Sequence, residues 1–105
     1  MTRRRPKPAS GRDRDFPPLP LSQEHWQAVV EAMQLSPQEA RVVELVLRGA
    51  CEKQVSAKLG IGVPTIRTYL TRIGAKTETH GRMELALHVL GVSHQVVANV
   101  KSHQN

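Results

Sequence analysis

The sequence predicts an all-α protein: a bundle of four to five helices that contains a helix-turn-helix, preceded by a flexible N-terminal tail. Three observations carry that expectation. The 105 residues are 39% hydrophobic yet include one Phe, one Trp and one Tyr, a supply of aliphatic side chains suited to packed helices. Beyond residue 20, apolar residues recur at steps of three and four. Gly, Pro and Ser stand where those patterns start and stop. A chain of this length has one small core, too little for an enzyme with a deep pocket.

Residues 1–20 contain five of the seven prolines and almost nothing to bury, so they are expected to form a disordered, basic, Pro-rich tail. Three roles fit it: a basic arm along phosphates or in a minor groove, a tether for a partner, or a plain solubilising tail. The folded domain is expected over residues 21–105. Its first helix runs from Leu21 to Met33, with Ser22 as N-cap, Glu24 in the first turn and Leu21 placed to staple against Trp26. Trp26, Val29, Val30 and Met33 form one apolar stripe, which makes Trp26 a core residue. Ser36-Pro37-Gln38-Glu39 starts the second helix with a capping Ser, an early Pro and a Glu three residues after the cap. Val42, Val43, Leu45, Val46 and Leu47 give it a broad buried face, and Gly49 suits a left-handed stop.

The helix pair spans residues 51–76. Its first helix, Cys51 to Leu59, turns Val55 and Leu59 inward and Lys53 and Lys58 outward. Gly60-Ile61-Gly62 is the tight turn, with Ile61 anchoring the core and the glycines relieving the backbone. Pro64 opens the second helix, residues 64–76, whose inner face is Ile66, Leu70 and Ile73 at 100° per residue. Pro64, Arg67, Thr68, Thr71 and Ala75 lie opposite. That face is slim and has no acid, as a helix entering the major groove requires. Arg67 can pair bidentately with guanine O6 and N7, while Thr68 and Thr71 can meet a thymine methyl or a base-edge acceptor, so these three are the candidate base contacts. Thr65, Tyr69, Arg72 and Lys76 share one flank, where phosphates would run. An ordinary solvated helix surface has the same periodicity.

A further helix, Arg82 to Leu90 with Gly91 as its end, carries Met83, Ala86, Leu87 and Leu90 as its stripe. Part of that stripe is expected to be uncovered in a monomer, favouring an isologous homodimer. Val92, Val96, Val97 and Val100, after a Ser93 cap, suit a separate short helix.

The net charge of +6 is unevenly placed: +4 over residues 1–20, −3 over 21–52 and +5 over 53–82. Such a polarised field draws a polyanion to one side. One cysteine, Cys51, excludes an internal disulfide, and the five histidines share no metal-ligand spacing, so no cofactor or metal is expected. No apolar run approaches the roughly 18 residues of a membrane span, and Pro6, Lys7 and Pro8 stand where a signal peptide needs apolar residues. A cytoplasmic protein is expected. No nucleophile with a plausible base and no phosphate-cradling glycine loop is present, which argues against an enzyme.

Leu35-Ser36-Pro37-Gln38-Glu39 resembles the opening of the LuxR-type (GerE-like) helix-turn-helix domain. Gly49 through Leu85 resembles its continuation, with Lys53, Val55, Leu59, Ile61, Thr65, Ile66, Arg67, Ile73, Lys76, Arg82, Glu84 and Leu85 identical or alike in type. The resemblance covers about half the chain. It implies a four-helix domain that binds double-stranded DNA as a dimer, with Arg67, Thr68 and Thr71 in the groove, Lys53, Thr65, Tyr69 and Lys76 near phosphates, and the helix after Arg82 at the dimer contact; with no receiver or ligand-sensing pattern ahead of it in the sequence, a stand-alone domain is expected. Departures mark it as divergent: Cys51 and Gly62 in place of capping serines, Glu52 where the family usually has Asn and where it would repel phosphate, Tyr69 for His, and Thr77 and Thr79 for Leu and Val. The expectation is therefore a sequence-specific transcriptional regulator, controlled through abundance, dimerisation or a protein partner. The alternatives are a helix-turn-helix-derived interaction module that modulates another transcription factor, and a promoter-reading domain like that of sigma factors.

Overall fold

A computed structural model describes residues 16–104, with side chains through Asn99. The order is α1 (Gln23–Met33), α2 (Pro37–Leu47), α3 (Glu52–Leu59), α4 (Val63–Thr77) and α5 (Gly81–Gln104), with no strand among the described residues. α1 lies against α5, α3 packs on α4, and α2 touches α3, α4 and α5 at the centre. Val29, Val42, Val43, Val55, Ile66 and Ile73 are the side chains sealed most completely from water. Burying each aliphatic side chain contributes about 1.5–3 kcal/mol.

The helix starts follow local chemistry. Ser22 Oγ accepts the His25 N–H at 3.0 Å. Ser36 and Glu39 form a reciprocal capping box: Ser36 Oγ accepts the Glu39 N–H at 3.1 Å and Glu39 Oε1 accepts the Ser36 N–H at 3.0 Å. α2 stops before Gly49, whose φ is +98°. At α3 the thiol of Cys51 is a weak capping group, but Gln54 Oε1 takes up the Cys51 N–H at 2.8 Å. That reach back supports the helix start from its third residue.

Only one of the two turn glycines relieves the backbone. Gly60 sits at φ +70°, ψ +32°, whereas Gly62 is an extended N-cap at φ −62°, ψ 151° that any residue can adopt. A third glycine, unremarked in the sequence, matters more. Gly74 lies inside α4, where its carbonyl accepts the N–H groups of Glu78 and Thr79, and a Cβ built on it would stand 2.9 Å from Thr79 O. The chain folds back over the helix end at that spot. Thr77 and Thr79 then join: Thr77 Oγ1 donates to Ile73 O at 2.8 Å and lies 2.9 Å from Thr79 Oγ1.

Three further expectations change. Gly91 does not end a helix, because α5 runs unbroken from Gly81 to Gln104 and Ser93 caps nothing. Leu85, Val89, Val92, Ser93 and Val96 share one side of α5 and are buried or half-buried, and Ser93 Oγ lies 3.0 Å from His25 Nε2 of α1. That packing outweighs the cost of a helical glycine, about 1 kcal/mol. Second, the packed chain begins by Phe16 rather than after residue 20: Phe16, Leu19 and Leu21 lie on the core, and Arg48 donates to Pro17 O at 2.8 Å and Phe16 O at 3.3 Å. Residues 1–15 of the expected tail lie outside the described residues. Third, Lys58 does not simply point outward; its ammonium lies 5.4 Å from the centre of the Phe16 ring.

α4 is fixed to α2 by one buried charge. Glu39, 3% exposed, accepts Lys76 Nζ at 2.7 Å, and the same ammonium donates to Gln34 O at 2.8 Å. Burial pushes the Glu39 carboxyl up, but the Lys76 and Ser36 hydrogen bonds and the charges of Lys76 and Arg72 outweigh it and hold it below the ordinary glutamate range.

Two stability outcomes follow. In Gly74→Ala, overpacking against a backbone carbonyl costs about 1–3 kcal/mol and the propensity gain returns about 1. The melting temperature should therefore fall by several degrees in a thermal circular dichroism scan, and an unchanged or higher value contradicts the close approach. Lys76→Met should cost about 2 kcal/mol at neutral pH by leaving the Glu39 carboxylate without its cation. A depressed folded pKa stabilises above the unfolded value, about 4.3, and that share is lost as pH falls through the folded one. Urea midpoints measured across that window should drop less steeply for the variant than for the parent, and parallel drops would refute the pairing.

Candidate nucleic-acid interface

α4 is presented to solvent along the side opposite its buried residues. Ile66, Ile73 and Thr77 face the core, while Pro64, Thr65, Arg67, Thr68, Thr71, Arg72 and Ala75 are exposed. The candidate base contacts Arg67, Thr68 and Thr71 therefore project together from one rigid helix. Thr68 Oγ1 donates back to Pro64 O at 3.1 Å, which occupies its hydroxyl hydrogen and turns attention to its methyl group.

The flank expected to meet phosphates is less uniform. Lys53, Thr65 and Arg72 are exposed. Tyr69 is half-buried against the core, and the Arg72 guanidinium sits 5.8 Å from its ring centre, so the aromatic ring orients the cation. Lys76 is exposed as a residue, yet its ammonium is held by Glu39 and Gln34. Removing it therefore disturbs the core as well as the surface charge.

Glu52, expected to lie where it would repel phosphate, has a partner that the sequence did not reveal. It is the first residue of α3, and its Oε1 accepts Arg67 Nε at 2.9 Å, with the two side chains 38% and 66% exposed. α4 itself is free of acids, but α3 brings one to Arg67, the candidate base contact. An ion pair this exposed contributes about 0–1 kcal/mol to folding. Fifteen residues separate the partners, and no periodicity in either helix signals the pairing. Beyond Arg67 and Thr71, an open groove runs between α4 and the turn before α5, lined also by Glu78, Thr79 and Gly81. The exposed side of α4 thus has a basic edge at Arg72 and an acidic one at Glu52 and Glu78.

On α5, Met83, Leu87 and Leu90 of the candidate dimer surface are 72%, 60% and 56% exposed, and Ala86 is half-buried. Val97, 39% exposed, extends the row through His94 at alternating steps of four and three. This row lies opposite the face that packs on α1. α5 is therefore apolar on two sides.

Among the described residues no cluster of three or more His, Cys, Asp or Glu is placed to hold a metal, and no helix is long and apolar enough to cross a membrane. The Probable transcriptional regulator ycf29 of Cyanophora paradoxa is 36% identical over 55 residues, 52% of this chain and 26% of that protein. The chain thus spans about a quarter of the length of that relative. No solved structure shows significant similarity. The sequence profile of the bacterial regulatory proteins of the luxR family matches residues 33–89, from the end of α1 to the middle of α5 and across the whole helix-turn-helix. The chain belongs to the luxR family of bacterial regulatory proteins.

Proposed function

We propose that the protein is a sequence-specific DNA-binding transcriptional regulator that inserts α4 in the major groove and acts as a homodimer. The joint exposure of Arg67, Thr68 and Thr71 on the outer side of α4 carries this reading. A helix backed by a packed core and bearing one forked donor and two short hydroxyl side chains fits between the walls of the groove. Lys53 and Arg72 supply phosphate contacts beside it, with Thr65, Tyr69 and Lys76 along the same flank. Family membership and the regulator name of the relative support the same class of activity.

The dimer reading rests on α5. Met83, Leu87, Leu90, His94 and Val97 follow the four-three spacing of a coiled-coil seam, with Ala86 at its edge, and a second copy of the same helix offers the complementary row. The same uncovered seam also fits a second reading, an interaction module that occupies the corresponding helix of another regulator. Purification as a heterodimer, without binding to DNA by the protein alone, would establish that alternative.

Selection from random duplex DNA should enrich one sequence. Lys53 and Arg72 from two protomers neutralise about four phosphates, so the log–log dependence of affinity on salt should have a slope of about −4 or steeper. Arg67→Ala should cost about 1–3 kcal/mol on the enriched site and relax one base position, whereas Lys53→Ala should weaken every sequence alike. Absence of both enrichment and salt dependence sinks the reading. Leu87→Glu, at an exposed position, should leave the helical content unchanged and convert a dimer to a monomer in sedimentation equilibrium; equal masses for parent and variant contradict the seam.

A further inference from the structure

We infer that Glu52 is a specificity-determining residue: it holds Arg67 for base reading and lowers the affinity for DNA of arbitrary sequence. The inference rests on the proposed DNA-binding role of α4. It begins with which edge of the guanidinium is used. Glu52 Oε1 meets Arg67 at Nε, at 2.9 Å. A guanidinium presents five N–H donors, and a single acceptor on Nε leaves the Nη1/Nη2 end free to form the two parallel hydrogen bonds that guanine O6 and N7 accept. A carboxylate seated across that end would have blocked the contact. The one observed here steers it.

Two consequences separate Glu52 from a merely repulsive acid. Arginine has a long side chain with much rotamer freedom to lose on binding, and a hydrogen bond formed before DNA arrives removes part of that loss. The contact between α3 and α4 therefore favours the bound geometry in advance. The carboxylate also offsets the Arg67 charge. Binding to arbitrary sequences depends on cation–phosphate attraction, so it weakens more than binding to a site where Arg67 forms directed hydrogen bonds. The ratio of specific to nonspecific affinity rises through both effects. Being the first residue of α3, Glu52 is itself held in place by a helix start that Gln54 braces through the Cys51 N–H.

The test uses the 105-residue chain, its own enriched duplex and a scrambled duplex of equal length, with Glu52→Ala, Glu52→Gln, Arg67→Ala and the Glu52→Ala/Arg67→Ala double variant, each checked for unchanged thermal unfolding. Glu52→Gln keeps an acceptor for Nε and loses the charge, so it should bind both duplexes more tightly, the scrambled one by the larger factor, steepen the salt slope of a dimer by about two and keep the same preferred base at the position read by Arg67. Glu52→Ala loses the acceptor as well, and should tighten scrambled-duplex binding while lowering the specific-to-nonspecific ratio about tenfold at the position read by Arg67. The double variant should match Arg67→Ala in base preference, because Glu52 acts through that side chain. If the parent enriches a sequence and Glu52→Ala leaves its ratio and base preference unchanged, or weakens both duplexes equally, this role for Glu52 is overturned while the regulator reading stands. If the parent enriches nothing, the regulator reading itself fails.

Discussion

A single carboxylate governs where α4 can point. Glu39 completes the capping box that starts α2, and from the same oxygen it accepts the ammonium of Lys76 near the end of α4. An ionised group that is 3% exposed demands compensation, and here one cation and one backbone N–H supply it. Lys76 also reaches Gln34 O, so the turn between α1 and α2 is tied to the same point. The orientation of α4 thus depends on a charge that cannot be displaced without stranding it. Apolar packing of Ile66 and Ile73 holds the helix to the core, but apolar packing is non-directional. The Glu39–Lys76 bond adds the direction.

The other end of the constraint is steric. Gly74 lets the chain after α4 return within van der Waals reach of the helix, and Thr77 and Thr79 close that return with hydroxyl contacts. The two threonines that looked like departures from the family pattern are therefore matched to each other. They exchange the apolar contact of a Leu and a Val for a polar one in which Thr77, 8% exposed, has its hydroxyl satisfied by Ile73 O.

Local signals carried most of the fold. The caps at Ser22 and Ser36, the stripe of α1, the stop at Gly49 and the inner face of α4 are all encoded within a few residues, where periodicity and capping chemistry act. What the sequence concealed is long-range. Lys76 meets Glu39 across 37 positions, Ser93 meets His25 across 68, and Arg67 meets Glu52 across 15. Gly91 misled for the same reason: a helical glycine is a plausible stop until Val92, Ser93 and Val96 find α1 to pack against. The outer face of α4 was legible because it is defined by what it does not touch. Its electrical character was not, since Glu52 belongs to another helix and Lys76 is spent on the core.

That redistribution of charge bears on how the molecule would discriminate among polyanions. Of the basic side chains on α4, Lys76 is committed inward and Arg67 is paired, which leaves exposed Arg72, steadied by Tyr69, beside exposed Lys53 of α3. Among the described residues, an α3–α4 face with few uncommitted cations would gain less from general electrostatic attraction than one with every cation free. In the proposed reading it would rely on directed contacts and on two copies engaging together, since linked sites raise the effective concentration of the second contact without new chemistry. The uncovered row of α5, lying opposite the helix's packed face, is placed where such linkage can arise without disturbing the core that orients α4. In the proposed reading, sparse free charge on the α3–α4 face and an uncovered seam on α5 are two halves of one arrangement: the fewer the free charges there, the more binding would depend on geometry repeated across a two-fold axis.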